Sequence, residues 1–379
     1  MSAAKWKTLP FETAVHSRGS GNAGLPTKQW LPEGQFPVIG QGAEDIEGWT
    51  DREDLLLTPT PAVVLYGGHT RRAKHVSQPF VPGPNVKILQ PVPAVDSKFL
   101  FYFLTQLPVE SKGYADHFPL VRKCEIPIPP LAEQRRIVGL LDEALEGLAT
   151  AKAKAEKNLQ NARALFASHL QSVFAQRGPE WVEKKLGEIS EFKNGLNYNK
   201  SSGGQTLPVV GVADFQDNYF VPLSELQSAT IDGDLADNYA IQPNDILTVR
   251  SNGSKHLVGR CMLVGDVDEV VSYSGFIIRI RFDAKIIFPQ YLLHFMKCQV
   301  TRDILTAGGG GANITNINQE KLSTLLVPLP PYKTQIKLAA ALDDLREETQ
   351  RLARLYERKH AALEALKKSL LHQAFTGEL

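Results

Sequence analysis

The 379-residue sequence has few cysteines and no long hydrophobic run. Its three cysteines, Cys124, Cys261 and Cys298, include no C-x-x-C pair, so neither a zinc site nor a disulfide framework is indicated. No segment approaches the roughly 20 apolar residues of a membrane-spanning helix. The opening residues, MSAAKWKTLPFET, have no apolar stretch of signal-peptide length. We therefore expect a cytoplasmic protein.

An excess of either charge is also missing. The chain has 42 Lys+Arg and 41 Asp+Glu, which gives a net charge of +1. Strongly basic surfaces are typical of DNA-binding domains, so this balance neither requires nor excludes a nucleic-acid partner. The nine histidines show no metal-ligand spacing, and we expect no metal site. Because single cores stop growing at roughly 250–300 residues, two or more domains are expected.

The sequence does contain a repeat. The segment IPIPPLAEQRRIVGLLDEAL at residues 126–145 returns as VPLPPYKTQIKLAAALDDLR at residues 327–346, a shift of 201 residues. A period of this length indicates a duplicated domain rather than a solenoid. A residue that precedes proline is held extended, and proline cannot continue a ladder of hydrogen bonds. Each proline-rich segment, here called a strap, is therefore predicted to end a domain just before a helix begins.

A proline-free stretch follows each strap, with hydrophobic residues about 3.5 positions apart, as in a coiled coil. We predict helices over residues 132–176 and 333–375 that pack antiparallel within one chain; pairing between two molecules is the alternative. The predicted core of this spacer consists of Leu141, Leu148, Leu165, Leu342, Leu352 and Leu366. The equivalent polar residues Asn158 and Lys359 either fix the register of the seam or lie where the helices diverge.

The regions before and between the helices are mixed and strand-rich, so the predicted fold class is α+β. FPVIG at residues 36–40 is similar to LPVVG at 207–211, and residues 272–281 alternate as a single strand should. The predicted organisation is a first domain (1–125), a strap and helix (126–177), a second domain (178–325), and a second strap and helix (326–379).

This order of motifs resembles the specificity subunit of type I restriction–modification systems, over nearly the whole chain. The second half opens with WVEKKLGEIS at 181–190 and closes with GANITNIN at 311–318, while GYADHF at 113–118 closes the first half. WKTLP at 6–10 departs from the family's usual opening because it lacks Leu-Gly. The resemblance implies two mixed α/β target-recognition domains separated by an antiparallel coiled-coil spacer, with a pseudo-two-fold internal repeat. It also implies recognition of a bipartite, asymmetric site in double-stranded DNA.

The resemblance further implies that the chain is not catalytic and carries no cofactor. Two modification subunits, adenine methyltransferases that use S-adenosylmethionine, would dock on it, together with restriction subunits and no membrane. A search for catalytic motifs agrees: Leu329-Pro-Pro-Tyr332 has leucine where such a methyltransferase needs Asn or Asp, and the Gly308–Gly311 run precedes no Gly-Lys-Ser/Thr. The alternatives are a standalone nuclease and a coiled-coil scaffold that binds protein partners.

Candidate DNA-contacting residues follow predicted strands. Arg and Asn can make bidentate contacts to guanine and adenine, Ser and Lys suit phosphates, and glycine lets the backbone approach the duplex. A solvated hairpin turn is the alternative interpretation. The candidates in the first domain are Gly67, Gly68, His69, Thr70, Arg71, Arg72 and Lys74. Those in the second domain are Asn194, Asn197, Lys200, Arg250, Ser251, Asn252, Ser254, Lys255, Asn313, Thr315 and Asn316.

The charge of the second domain poses a problem for this hypothesis. Residues 181–325 contain 13 Lys+Arg and 16 Asp+Glu, so the domain is slightly acidic. Neutralisation of phosphates dominates affinity for DNA. Either partner subunits supply the positive surface, or the basic residues of this domain are concentrated on one face.

Overall fold

The computed structural model describes residues 6–20, 24–111, 113, 115–198, 203–307 and 316–379. The chain forms two compact units, and the boundary between them falls within both long helices. The first unit comprises residues 1–156 and 357–379, and the second comprises residues 157–356. Each unit thus contains one strand-rich domain together with segments of both long helices.

The described part of the first unit has a two-stranded ribbon, a four-stranded sheet and a three-stranded sheet. Its strands are β1 (Lys7–Pro10), β2 (Val15–Gly19), β3 (Phe36–Ile39), β4 (Gly48–Thr50), β5 (Val63–Gly67), β6 (Ala73–Val76), β7 (Val81–Pro82), β8 (Val86–Pro91) and β9 (Glu125–Ile128). Their orders are β1-β9, β2-β8-β5-β6 and β4-β3-β7, antiparallel except for the β3–β7 pair. The helices are α1 (Phe11–Ala14), α2 (Ser97–Gln106), α3 (Phe118–Val121) and the long α4 (Leu131–Ala175).

The second unit repeats this plan. Its strands are β10 (Val182–Lys185), β11 (Ser190–Asn194), β12 (Thr206–Val210), β13 (Ser228–Thr230), β14 (Ile246–Val249), β15 (Cys261–Leu263), β16 (Ser272–Tyr273), β17 (Ile277–Phe282) and β18 (Leu326–Leu329). Their orders are β10-β18, β11-β17-β14-β15 and β13-β12-β16, with β12–β16 the parallel pair. The helices are α5 (Leu186–Ile189), α6 (Pro289–Lys297), α7 (Gln299–Thr306), α8 (Gln319–Thr324) and the long α9 (Tyr332–Thr376).

The two domains therefore share one topology, although little sequence similarity remains between them. The predicted match between residues 36–40 and 207–211 is confirmed, because β3 and β12 are the central strands of equivalent three-stranded sheets. The single strand predicted over residues 272–281 is wrong. It divides into β16 and β17 at a turn in which the Ile277 amide donates to the Ser274 carbonyl at 2.9 Å.

Each strap is the closing strand of its domain. Strand β9 pairs with β1, and β18 pairs with β10, so the chain closes each domain against its own opening strand. The glutamine that the repeat retains fastens the strap to the domain. Gln134 is fully buried, accepts from the Asp96 amide at 2.8 Å and donates to the carbonyls of Ala94 and Pro129.

Gln335 makes the equivalent contacts in the second unit. It accepts from the Phe288 amide at 2.8 Å and donates to the carbonyls of Ile286 and Pro330. Since Gln335 is 2% exposed, all these bonds are shielded from water. The repeat therefore preserves a connection between three segments: the strap, the start of the long helix, and the loop before the short helix α2 or α6.

The long helices begin and end within one residue of the predicted positions, and their antiparallel pairing within one chain is confirmed. In the first unit, Ile137 and Leu141 of α4 cluster with Leu371 and Ala374 of α9. Lys152 and Glu364 form an ion pair of 2.6 Å between the same two helices. In the second unit, Leu170 and Phe174 of α4 belong to the same cluster as Ala339 and Leu342 of α9. In both units, early residues of one helix meet late residues of the other.

Part of the predicted spacer core is wrong. Leu141 and Leu342 are buried and Leu148 and Leu352 are half-buried, but Leu165 is 51% exposed and Leu366 is 47% exposed. A stripe with a 3.5-residue period drifts around a helix that turns every 3.6 residues. After Ala162 the inward face of α4 instead continues through Phe166, Leu170 and Phe174, at four-residue spacing. Asn158 and Lys359 are exposed, so neither is a polar residue of the buried seam.

Candidate nucleic-acid interface

The ends of three neighbouring strands gather the candidate residues of the second domain. Strand β11 ends at Asn194, β14 ends at Val249, and β17, which lies between them, begins at Ile277. Because antiparallel neighbours run in opposite directions, these ends lie at the same end of the sheet. Strand β15 begins at this end too, since Cys261 pairs with Thr248.

Hydrogen bonds join the loops that leave this end of the sheet. The Arg250 amide donates to the Phe276 carbonyl at 2.9 Å, and the Ile317 amide donates to the Arg250 carbonyl at 2.7 Å. The Gln319 side chain donates to the Asn194 Oδ1 at 3.2 Å. Three separate candidate segments are thus brought together. Lys200, Asn313 and Thr315 lie outside the described residues.

The candidates of the second domain differ in exposure. Those exposed to solvent are Asn197, Ser254, Lys255 and Asn316, and those half-buried are Asn194, Arg250, Ser251 and Asn252. Asn252 accepts from the Ser254 amide at 2.8 Å and thereby shapes the turn. Arg250 is tethered by its backbone, yet its Nε is buried without a hydrogen-bond partner within the described part of the chain. An unsatisfied donor of this kind has capacity for a ligand.

The first domain gathers its loops in the same way. Strands β2 and β5 end where β8, between them, begins, and the His117 amide donates to the Gly68 carbonyl at 2.8 Å. The hairpin after β5 is closed by the Arg71 amide, which donates to the Gly67 carbonyl at 2.7 Å. Thr70, Arg71 and Arg72 are exposed at its tip, and His69 is half-buried.

Three candidates of the first domain have a different role from the one predicted. Lys74 is 8% exposed, and its ammonium is held by the Glu47 carboxylate at 2.6 Å and the Glu44 carbonyl at 2.5 Å. In this position Lys74 cannot reach a phosphate. Gly67 and Gly68 are buried, and a Cβ on Gly68 would collide with the Asp116 carboxylate. These glycines therefore permit close packing inside the protein rather than approach of a duplex.

The tyrosines at this end of the two sheets are neutral. Burial raises the pKa of Tyr66, on β5, to about 12, and burial also raises the pKa of Tyr273, on β16, to about 12. Tyr273 donates to the Lys193 carbonyl at 3.3 Å.

Charged residues are unevenly distributed between the two ends of the larger sheet in the second domain. Arg250, Lys255 and Arg260 lie between the end of β14 and the start of β15. Acidic residues occupy the turns at the opposite end of the same sheet, namely Asp245, Asp266, Asp268, Glu269 and Asp283. Asp245 is neutralised there by Arg281, at 2.6 and 2.7 Å. The net charge of the domain hides this uneven distribution. Counting the positive and negative residues separately at each end of the strands would have revealed it.

Sequence reasoning also missed an aromatic residue at the candidate interface. Phe276 is 59% exposed in the turn before β17, and its carbonyl accepts a hydrogen bond from the Arg250 amide. Exposed aromatic side chains of DNA-binding proteins can stack on a base or wedge between base steps, so Phe276 is a further candidate. Its signal in the sequence is weak, because phenylalanine between glycine and a strand is usually part of a core.

In the described part of the chain, every helix is too short or too polar to cross a membrane. No group of three or more His, Cys, Asp or Glu side chains in the same part of the chain is arranged to hold a metal ion.

The chain resembles known proteins in sequence. Residues 179–357 match the family model of the type I restriction modification DNA specificity domain. The specificity subunit of the type I restriction enzyme StySPI, from Salmonella potsdam, is 27% identical over 67% of this chain and 57% of its own length. The EcoKI specificity subunit of Escherichia coli K12 is 26% identical over 52% of this chain and 43% of its own. The chain thus spans about half the length of these relatives.

Solved structures resemble the chain over its whole length. A chain from a study of complex assembly and conformational transition of the type I R-M system has a TM-score of 0.70 at 19% identity, and covers 99% of this chain and 100% of that one. The HsdS subunit from Thermoanaerobacter tengcongensis has a TM-score of 0.58 at 19% identity, and covers 99% and 98%. At this identity the likeness establishes the fold.

Proposed function

We propose that the chain belongs to the family of type I restriction–modification specificity subunits, whose family model matches residues 179–357, and that it selects the DNA sequence on which such a complex acts. Each domain recognises one half of a bipartite, asymmetric site in double-stranded DNA. The chain performs no chemistry itself, carries no cofactor and acts in the cytoplasm.

One observation carries this proposal: two domains of identical topology present different loops from the same end of the larger sheet. In the first domain the exposed tip is Thr70, Arg71 and Arg72; in the second it includes Ser254 and Lys255. A shared scaffold with divergent tips suits recognition of two unlike half-sites, because base contacts specify a sequence while the scaffold sets the orientation.

The partners proposed are two modification subunits and the restriction subunits of the same system. A duplicated groove supports the number two. In the first unit, a groove of about 900 Å³ is lined by Phe103, His372 and Phe375. In the second, a groove of about 740 Å³ is lined by Phe295 and by Gln171 and Phe174, which precede His372 and Phe375 by 201 residues.

Equivalent grooves are suited to two copies of one partner. The second groove is bordered by exposed apolar side chains, with Val300 46% and Ile304 58% exposed, as protein-binding surfaces often are. Methyl transfer then occurs on the docked modification subunits, which bind S-adenosylmethionine.

The experiment that tests the proposal exchanges a recognition domain. Replacing residues 1–125 by the first domain of another specificity subunit should change one half-site and leave the other unchanged. The readout is methylome sequencing of cells that also produce the modification subunit. Unchanged methylation sites, or loss of both half-sites in a folded chain, would contradict the assignment of one half-site to each domain.

The helices are proposed to set the gap between the half-sites. Inserting four helix-forming residues after Lys157 and four after Arg358, the equivalent position in the repeat, lengthens both helices equally. At 1.5 Å per residue the addition is about 6 Å, close to two base-pair steps of about 3.4 Å. The preferred gap should increase while both half-sites are retained. Altered half-site bases would refute the separation of recognition from spacing.

Absence of catalysis is tested on the purified chain. Incubated with DNA, Mg²⁺ and S-adenosylmethionine, it should neither cleave nor label the duplex until a modification subunit is added. Cleavage or labelling by the chain alone would instead support a standalone enzyme. Failure to retain DNA selectively, even with the modification subunit present, would support a protein-binding scaffold.

A further inference from the structure

A basic cleft lies within the second unit, on the α6–α7 side of the four-stranded sheet. Its volume is about 840 Å³, and α4, α9 and the start of β15 contribute to its lining. Five cationic side chains line it from five different segments: Arg163, Arg260, Lys297, Arg302 and Arg346. We call this surface the basic cleft.

Two of these cations, Lys297 and Arg302, are held by carbonyl groups rather than by carboxylates. Lys297 Nζ donates to the Asn218 carbonyl at 2.8 Å, and Arg302 Nη2 donates to the carbonyls of His256 and Val258, both at 3.1 Å. Carbonyl acceptors orient a cation but leave its charge uncompensated. Two other cations have carboxylate partners: Asp217, which extends into solvent, lies 3.3 Å from Arg260, and Asp343 lies 3.1 Å from Arg346.

Tyr219 lies between two of these charges. Lys297 Nζ and the Arg346 guanidinium each lie 4.1 Å from the centre of its ring. A ring face attracts a cation, so Tyr219 holds both charges at one place. The Nε atoms of Arg302 and Arg346 are buried and have no hydrogen-bond partner within the described residues. The cleft therefore combines two cations that lack a carboxylate partner among the described residues, Lys297 and Arg302, with unused donors.

The energetics of Lys297 also favour an anionic ligand. Burial lowers the pKa of Lys297 to about 8, and the nearby charges of Arg260 and Arg346 lower it further. A buried cation without a counter-ion is unfavourable, and an anion in the cleft would remove that penalty.

The cleft adjoins the candidate interface through one loop. Residues 250–260 connect β14 to β15, with Arg250 at one end and Arg260 at the other, and the Val249 amide donates to the Arg260 carbonyl at 3.0 Å. Arg260 Nε and Arg302 Nη2 both donate to the His256 carbonyl, at 3.1 Å each. The cations of the cleft therefore support the loop that carries candidate base-reading side chains.

We propose that the basic cleft binds a backbone phosphate of the DNA whose bases are recognised by the loop at residues 250–255. This inference rests on the proposed function and adds to it the place where the slightly acidic second domain neutralises phosphate charge. Arginine matches the geometry of a phosphate, and a lysine beside it supplies a point charge. A phosphate held here fixes the register of the duplex without selecting a base.

The test uses the full chain assembled with its modification subunit and replaces Lys297→Gln, which keeps a donor for the Asn218 carbonyl but removes the charge. Affinity for duplexes with and without the preferred site is measured by fluorescence anisotropy over a range of KCl concentrations. The slope of log K against log [KCl] should become shallower by about 1, with equal weakening for both duplexes. Lys297→Arg should retain the wild-type slope.

The matched control is Lys285→Gln. It removes one exposed lysine beyond β17, at the opposite end of the same sheet, and should leave the slope unchanged. If Lys297→Gln also leaves the slope unchanged, the cleft does not bind the DNA backbone. If the wild-type complex itself fails to bind DNA, the proposed function fails and this inference fails with it.

Two further arms exclude other anions. Inorganic phosphate and ATP are added to the full chain at constant ionic strength; a rise in melting temperature that requires Lys297, with no change in the DNA slope, would assign the cleft to a free phosphate ligand. Loss of binding to the modification subunit in Lys297→Gln, again with an unchanged DNA slope, would assign it to an acidic protein segment. Either outcome overturns the proposal.

Discussion

The two domains differ in the hairpin that follows β5 in the first domain and β14 in the second. In the first domain this hairpin is short: Gly67 closes it, and Arg71 and Arg72 occupy its tip. In the second domain it extends over residues 250–260 and carries cations at both ends. Strand order and pairing are the same on either side of it. The sheet is thus the conserved frame, and the hairpin is the part free to change.

Individual lysines of the two units also differ in their partners. Lys74 and Lys98 in the first unit are paired with the carboxylates of Glu47 and Asp142, at 2.6 and 2.7 Å. In the second unit, Lys297 is held by a main-chain carbonyl. A carboxylate partner neutralises a cation and fixes the structure, whereas a carbonyl leaves the charge available to a ligand.

The largest loss of stability is expected at Leu141 and Leu342, which occupy equivalent buried positions in the two units. Leu141→Asp and Leu342→Asp each place an unpaired charge in a fully buried site, because both leucines are at most 1% exposed. Each change should lower the free energy of unfolding by about 4–5 kcal/mol, measured by urea denaturation. Leu165→Asp and Leu366→Asp, at exposed positions of the same helices, should cost less than about 1 kcal/mol. Equal losses at all four positions would contradict the burial pattern.

The contrast between these leucines shows how far the sequence could predict the spacer. Heptad periodicity and the prolines of the straps located both helices within one residue, because these signals are local. The predicted stripe of buried residues is wrong after Ala162. There Phe166 packs against the rings of Tyr219 and His294, and not only against the other long helix. Contact with a domain distant in sequence redirects the buried face, and the period of one helix carries no information about that contact.

The candidate interface was predictable to a similar extent. Strand ends could be located from alternation and turn residues, and the structure brings the described candidates of each domain to one end of a sheet. The burial of Lys74 could not be foreseen, since its partner Glu47 comes from a loop 27 residues earlier in the chain. The basic cleft was equally hidden, because its five cations come from five separate segments.

A smaller loss of stability, equal at the two sites, is expected when either buried glutamine is replaced. Gln134→Ala and Gln335→Ala each remove three hydrogen bonds and leave buried amide and carbonyl groups unpaired. Each should cost about 3 kcal/mol of unfolding free energy. Because the two sites belong to different units, the double variant should lose the sum of both. A marked difference between the two would mean that the repeat has conserved the residue but not its role.

The next effect distinguishes the two hairpins. Arg72→Ala should relax base preference in one half-site, and Arg250→Ala should relax it in the other, each by about 1–3 kcal/mol of discrimination. Each variant is the control for the other, and methylome sequencing reports both half-sites at once. Relaxation of the same half-site by both variants would contradict the assignment of one half-site to each domain. A uniform loss of methylation, with base preference retained, would show that the arginine contacts a phosphate and not a base.

The smallest effect is a dependence of DNA affinity on pH that the second domain alone confers. Between pH 7 and pH 9, Lys297 of the unoccupied cleft loses its proton, because its pKa is about 8. The charged and titratable groups that face it are Arg260, Arg346, Asp217 and Cys261, and burial raises the pKa of the Cys261 thiol. A phosphate favours the protonated amine, so affinity should fall as pH rises, by at most about tenfold for the one unit above pH 8.

Anisotropy titrations of the assembled complex at fixed KCl and at pH 7, 8 and 9 measure this fall. Lys297→Gln has no proton to lose and should show a flat profile at the lower affinity. Lys297→Arg should be flat at the higher affinity, because its guanidinium stays charged throughout. If the wild type and Lys297→Gln lose affinity in parallel, the pH dependence arises elsewhere in the complex, and the difference in cation pairing between the two domains has no consequence for DNA binding.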